Sequence, residues 1–365
     1  MAKSSSRVTN SDDTKAVRSS EQLDWTTLEN YTRPRLSQLL NRELDHAPMI
    51  VEQFPGGHSN LTYLLRFGKD EFALRRPPLG PVAPKAHDVI RESRILQALN
   101  PLFPLAPKPL LVGDDSTIIG APFYIMERRR GLVVRHEEPP QIRDQPTQRE
   151  RVSAAVVDVL ADLHNIDVAG HGLGSLGKSV GFVERQIRGW TQRWHGSKTT
   201  EQHDMDQLAE WLLSRLPGET PVVALLHGDY KLDNVMLDAN DPGLVVAVLD
   251  WEMSAVGDPL VDVGIFLAYW VHTDISVGPG SLKPVTSRPG WFTRERILER
   301  YVQRTGIDVT NIQFYEVFAV FKLAVVLQQI FYRYFRGQTD DARFKSLDKG
   351  VEILAHTGAR LAEED

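Results

Sequence analysis

Residues 226–250 read LHGDYKLDNVMLDANDPGLVVAVLD, and no other stretch limits the possible folds as much. Apolar runs at 222–226, 235–237 and 244–249 have the length and composition of short strands, and Asn240, Asp241, Pro242 and Gly243 close a hairpin between the last two. His227, Asp229, Lys231 and Asn234 are thereby crowded onto one short turn, while Asp250, sixteen residues after Asn234, ends an apolar strand. Any fold of this chain must hold two carboxylates, an amide and an ammonium at strand ends. A polar turn whose Asp and Asn merely satisfy backbone groups is the simpler alternative. It does not account for apolar runs on both sides or for the LDWE that follows.

These residue types suit phosphoryl transfer. One carboxylate must take the proton of an attacking hydroxyl, while an amide oxygen and a second carboxylate hold the Mg²⁺ that neutralises a triphosphate. Asp229 supplies the base, Asn234 and Asp250 the metal ligands, and Lys231 a cation for the phosphates. The five-residue step from Asp229 to Asn234 is the HxDxxxxN spacing of a kinase catalytic loop. Hard oxygen ligands of this kind select Mg²⁺.

Composition sets the remaining bounds. The 365 residues are 42% hydrophobic and 25% charged, enough for two lobes with separate cores. A formal net charge of −6 gives no general attraction to nucleic acid or to an anionic membrane. Without any cysteine, disulfides, thiolate catalysis and cysteine metal sites are excluded. The first twenty residues lack an apolar core and carry Asp12 and Asp13, so a mobile tail is expected over 1–22, and a cytoplasmic enzyme overall. The most apolar stretch, 314–335, is interrupted by Glu316, Lys322, Gln328, Gln329 and Arg333, as a helix buried in a larger lobe would be.

Along the chain, an amphipathic lead-in helix is expected over 24–46, strands over 50–54, 61–67 and 71–75, a helix over 86–99, and strands over 110–112 and 123–126. A polar connection at 139–148 leads to helical periodicity from Arg149, with Val152, Val156, Leu160 and Leu163 on one face. The fold class is α+β, a small β-rich lobe at 23–127 followed by a larger, mainly helical lobe at 128–365. The Gly/Pro-rich run at 276–289 is either a flap facing the substrate or a surface insertion.

HGDYKLDN followed by LDWEMSAVGDPLVDVG resembles the aminoglycoside phosphotransferase family of small-molecule kinases, over about residues 45–340. FPGGHSNLTYLL, FALRRPP, FYIMERRRG and FVERQIRGW are most similar to the kinase-like domain fused to certain acyl-CoA dehydrogenases. The resemblance implies a two-lobed, protein-kinase-like fold, ATP as the nucleotide, with GTP left open, and a hydroxyacyl thioester of coenzyme A as acceptor. It places the nucleotide-covering loop at Gly56, Gly57, Ser59 and Asn60, a segment that alone would be an ordinary hairpin turn, and the adenine hinge at 123–127, ending on Glu127. The phosphate-gripping lysine of kinases is replaced by arginine in FALRRPP. Arg75 is assigned the role over Arg76 because neighbouring strand residues face opposite sides and Phe72 and Leu74 alternate against it. Glu92 is its implied ion-pair partner; a solvated helix carboxylate is the alternative.

His227 and Asp262 are implied to scaffold the catalytic turn, Asp258-Pro259 reads as a helix start, and His164 as a cap or packing residue. Arg128, Arg129 and Arg130 read as charged surface. Lys283, Arg288, Arg294 and Arg296 are the charges available for a coenzyme A tail. An antibiotic kinase would want an acidic pocket for a polycation, yet residues 171–220 hold six Lys/Arg and six Asp/Glu, and 271–310 six against four. A pseudokinase would have lost a base or metal group, and all three are present. The partner expected is a small-molecule hydroxyl acceptor.

Overall fold

In the computed structural model, residues 13–55, 60–79, 88–270, 285–339 and 341–364 are described. The chain divides into two compact units, meeting in sequence at Arg129 and Arg130.

The first unit is an antiparallel sheet with two helices. Strands β1 (Ile50–Gln53), β2 (Leu61–Phe67), β3 (Asp70–Arg76), β4 (Pro109–Gly113) and β5 (Phe123–Glu127) lie in the order β1-β2-β3-β5-β4. One face of β2 and β3 carries Tyr63, Leu65, Phe67, Phe72 and Leu74 into a core with Leu28 and Leu36 of α1 (Trp25–Leu40). The Asp24 side chain caps the start of α1 by accepting from the Thr27 amide. The helix stops at Leu40, short of the expected residue 46, because Asn41 turns into the left-handed region at φ 51°. Helix α2 (Val89–Leu99) starts on the side chain of Asp88. The expected tail is shorter than 1–22: Lys15 pairs with Gln53 through both backbone bonds, and the Arg18 amide donates to the Gln53 side chain. Residues 1–12 lie outside the described residues.

The second unit is mainly helical, with α3 (Pro146–His164), α4 (Phe182–Ser197), α5 (His203–Ser214), α6 (Leu260–Trp270), α7 (Arg294–Thr305), α8 (Ile312–Phe335) and α9 (Leu347–Glu363). Helix α3 begins within the expected polar connection, with Pro146 in its first turn. A three-stranded sheet runs β6 (Leu132–Val133), β8 (Val235–Leu237) and β9 (Val245–Val248); a two-stranded one pairs β7 (Ala224–Leu226) with β10 (Ala255–Gly257). Helix α8 has the length and hydropathy of a membrane span, but twelve of its residues are buried, among them Val317, Phe318, Val320, Phe321, Ala324 and Val325. It is a core helix of this unit, packed against α6. Their approach needs Gly264, where a Cβ would lie 2.5 Å from the Tyr315 carbonyl oxygen.

A four-membered polar network fixes the end of the Gly/Pro-rich run. Glu138, fully buried, accepts from Arg149 Nε at 2.7 Å and Nη2 at 2.8 Å, from Arg288 Nη1 at 2.5 Å and from Trp291 Nε1 at 2.9 Å. Burial works to raise its pKa, and these donors outweigh it to hold the carboxyl below its ordinary value. Residues 276–284 of the expected flap lie outside the described residues.

Candidate active site

Strand β7 delivers the chain to His227, and the turn beyond it is shaped from elsewhere in the unit. Asp262, in the first turn of α6, accepts from the His227 amide at 2.6 Å and the Gly228 amide at 2.7 Å. Gly228 sits at φ 81°, with Met253 O 2.4 Å from where a Cβ would be, so only glycine fits. Burial alone would raise the pKa of Asp262, but hydrogen bonding and charge from His164, with His227, keep it below the ordinary value. His164 is therefore neither a cap nor simple packing. Its Nε2 faces Asp262 Oδ2 at 3.3 Å and its Nδ1 meets the Tyr301 hydroxyl at 2.7 Å.

His227 is fully buried. Its Nε2 donates to Leu249 O at 2.9 Å and its Nδ1 accepts from the Asp229 amide at 3.2 Å, a neutral tautomer that agrees with burial lowering its pKa. It shapes the loop and is not placed as a base. Tyr230 pins the same loop to α3 by donating to Val156 O at 2.7 Å.

The structure brings Asp229, Lys231 and Asn234 together. Lys231 Nζ donates to Asp229 Oδ2 at 2.8 Å and lies 4.6 Å from the centre of the Tyr269 ring. Burial opposes the ammonium, but Tyr269 and Asp229 more than compensate and hold its pKa above the ordinary lysine value. Asn234 Nδ2 donates to Asp229 O at 2.8 Å and Oδ2 at 3.1 Å. The Leu249 amide donates to Asn234 O at 2.8 Å, which sets Asp250 at the open end of the β8–β9 hairpin beside Asn234. Asp250 adopts φ 69°, ψ 66°, a conformation that a non-glycine residue holds at a cost of about 1–3 kcal/mol and that clusters at functional sites.

This donor set fits Mg²⁺. With its nitrogen committed to Asp229, Asn234 offers Oδ1, and Asp250 adds a carboxylate: two hard oxygens just outside the adjoining ends of β8 and β9. Among the described residues no cluster of three or more His, Cys, Asp or Glu forms a protein-only metal cage. An ion that keeps waters and binds phosphates needs only one or two protein ligands.

In the first unit, Arg75 Nε lies 3.0 Å from Glu92 Oε2, with the side chains 10% and 1% exposed. Glu92 is thus a buried partner and not a solvated carboxylate. Arg76 points the other way, donating to Ile119 O at 2.7 Å and Pro77 O at 3.0 Å. Asn60 is buried; Gly56, Gly57 and Ser59 lie outside the described residues. Glu127 Oε1 accepts from the Lys108 amide at 2.7 Å and from Arg129 Nη2 at 2.5 Å. Arg128 is not open surface: its side chain is mostly buried, with the guanidinium 4.7 Å from the centre of the Phe54 ring.

The charges expected for a coenzyme A tail are otherwise engaged. Arg288 is held by Glu138, Arg294 by buried Glu316 at 2.5 Å, and Arg296 by Glu150 at 3.2 Å; Lys283 lies outside the described residues. Sequence reasoning missed Lys322 of α8, whose Nζ donates to Gly228 O at 2.6 Å. Its one signal was a lysine interrupting an apolar helix.

The profile of the phosphotransferase enzyme family matches residues 50–283. Acyl-CoA dehydrogenase family member 11 of Rattus norvegicus is 34% identical over 356 residues, which cover 96% of this chain and 44% of that protein. The chain thus spans less than half the length of that relative. A Ralstonia eutropha protein provisionally named an aminoglycoside phosphotransferase superposes with a TM-score of 0.77 at 30% identity, covering 94% of this chain and 99% of the other. Choline kinase from Cryptosporidium parvum, 11% identical, shares the fold with a TM-score of 0.67 over 93% of this chain and 96% of its own. The fold is kinase-like, α+β, and by matched length and by identity to a full-length neighbour the chain belongs to the phosphotransferase enzyme family.

Proposed function

We propose that the chain is an ATP- and Mg²⁺-dependent kinase that phosphorylates a hydroxyl group of a small molecule. The observation that carries this reading is the Asp229 carboxylate, held by Lys231 at 2.8 Å and Asn234 at 3.1 Å on a turn that Asp262 clamps from below. Asp229 Oδ takes the proton of the acceptor hydroxyl as its oxygen bonds to the γ-phosphorus. The bond from that phosphorus to the bridging oxygen breaks, and ADP leaves. Lys231 aims the carboxylate through its 2.8 Å hydrogen bond. Asn234 Oδ1 and Asp250 would hold Mg²⁺, which when bound neutralises phosphate charge. Arg75, locked by Glu92, is assigned to the nucleotide phosphates, where its planar fork matches oxygen pairs.

For the acceptor we propose a hydroxyacyl thioester of coenzyme A, on the strength of the similarity to an acyl-CoA dehydrogenase family member. Since Arg288, Arg294 and Arg296 are each paired with a carboxylate, the remote phosphates of such a substrate are assigned to other groups. ATP consumption with MgATP and candidate acceptors tests both levels. Hydroxyacyl-CoA should stimulate it well above the free hydroxy acid, because remote binding energy positions the reacting group. Asp229→Asn should lower it by about 10²–10⁴-fold with MgATP binding retained. Stimulation by kanamycin-like aminoglycosides and not by thioesters would transfer the assignment to an antibiotic kinase; near-normal turnover in the Asn variant would refute the mechanism.

A further inference from the structure

The peptide bond that leads into Asp229 is gripped at both ends. Its N–H donates to His227 Nδ1 at 3.2 Å, and its C=O, that of Gly228, accepts from Lys322 Nζ of α8 at 2.6 Å. A peptide unit is planar, so holding these two ends fixes the plane, and with it the direction in which Asp229 leaves the backbone. The amides of His227 and Gly228 are closed by Asp262. A carboxylate accepts from N–H groups but cannot hold a carbonyl, and that end of the peptide is left to Lys322. Packing does not hold it either. Beside Gly228 lies a cavity of about 20 Å³, lined also by Phe182, Leu226, Met253, Phe318 and Lys322. Gly228, at φ 81°, has no side chain to restrict its rotation into that space.

The fold itself gives no reason for a lysine at this position. Lys322 lies one helical turn from buried Phe318 and Val325. An apolar side chain of similar length would fill the site without the cost of desolvating an ammonium. Among the described residues Lys322 joins no ion pair; its contacts are the Gly228 carbonyl and the Trp190 ring, whose centre is 5.4 Å from Nζ. Burial pulls its pKa down to about 8, against the attraction of Asp229 and Asp262, and Lys231 and Arg193 add repulsion. A cation retained where it costs stability, with its head on the carbonyl beside Asp229, marks a group kept for activity.

We propose that Lys322 is a positioning residue for phosphoryl transfer: by fixing the carbonyl of Gly228 it aims the Asp229 carboxylate, without itself touching substrate or nucleotide. This rests on the phosphotransferase reading above and adds to it a residue from α8. The turn is then held by two helices of opposite chemistry, α6 supplying a carboxylate for its amides and α8 an ammonium for its carbonyl. The charge matters as well as the contact. An ammonium on the carbonyl polarises the peptide and strengthens the hydrogen bond that its N–H makes to His227.

Steady-state kinetics with MgATP and a hydroxyacyl-CoA, together with hydrogen exchange of residues 226–234 in the ligand-free full chain, test this role. Lys322→Met should lower kcat by about 10- to 100-fold, as a small misplacement of a reacting group does, and leave the KM for MgATP within about twofold. Lys322→Arg, which keeps a charged donor, should recover part of the loss. Wild-type kcat should decline above about pH 8 as Lys322 loses its proton, a limb that neither variant shows. Amides of the turn should exchange about tenfold faster in Lys322→Met, with Lys322→Arg close to the wild type and the rest of the chain unaltered. An unchanged kcat in Lys322→Met, or a rise in KM for MgATP that accounts for the loss, would overturn the proposal. So would faster exchange throughout the helical unit, which would show a lysine that merely supports the fold. If the wild type turns over no acceptor, the phosphotransferase reading is what fails; equal exchange of the turn in Lys322→Met and the wild type is what refutes the grip of Lys322.

Discussion

Lys322→Met should make the protein more stable at neutral pH, although it removes a side chain that touches the catalytic turn. Burial pulls the lysine from its ordinary 10.5 down to about 8. At about 1.4 kcal/mol per pKa unit, keeping it charged in the fold at pH 7 costs about 3 kcal/mol relative to the unfolded chain. Methionine fills similar volume without that cost. It forfeits the 2.6 Å hydrogen bond to Gly228 O, a charge-assisted bond that contributes about 1.5–3 kcal/mol. The two nearly cancel, with a net gain of up to about 1.5 kcal/mol at pH 7. The pH dependence is the sharper signature. The folded pKa is the lower one, so between 8 and 10.5 the unfolded state binds more protons, and wild-type stability rises with pH through that window. The variant lacks this rise and should fall behind the wild type by pH 10. Urea unfolding of both chains at pH 7, 8.5 and 10 reads the difference directly, since other titrating groups are common to the two. A difference constant across these pH values would refute the idea that Lys322 is held at a depressed pKa.

Two further outcomes follow from the ligand geometry. Asn234→Ala and Asp250→Ala should each weaken Mg²⁺-dependent nucleotide binding by an order of magnitude or more, seen by calorimetric titration of MgATP; unchanged metal dependence in both would reassign the metal site. Arg75→Lys should retain more activity than Arg75→Ala, and Glu92→Gln should raise the KM for MgATP because it frees Arg75 from its anchor; equal losses for Lys and Ala would show that the bidentate fork itself is needed.

The gathering of Asp229, Lys231 and Asn234 on one turn was legible because these residues fall within 25 contiguous positions, with strand signals on either side. Choosing between Arg75 and Arg76 was possible because period-two alternation sends Phe72 and Leu74 into the core and Arg75 to the opposite face, where Glu92 waits. What stayed hidden depended on contacts distant in sequence. A lysine inside an apolar helix does not reveal that its head reaches a carbonyl 94 residues away, and Arg288, Arg294 and Arg296 looked available because their carboxylates come from Glu138, Glu316 and Glu150. The end of α1 was overshot for a local reason, since nothing in the pattern beyond Leu40 announces that Asn41 takes a left-handed turn.

Asp262 changes where the shape of the catalytic turn is stored. The turn does not encode its own geometry: two of its amides close on a carboxylate borne by α6, that carboxylate leans on a histidine at the end of α3, and the histidine in turn leans on Tyr301 of α7. A perturbation at Tyr301 therefore has a route of four packed groups to Gly228, the residue beside Asp229, without touching any ligand. The sequence of the turn could be moved intact to another scaffold and would arrive without the instruction that bends it. In this protein, the aim of Asp229 is a property of three helices.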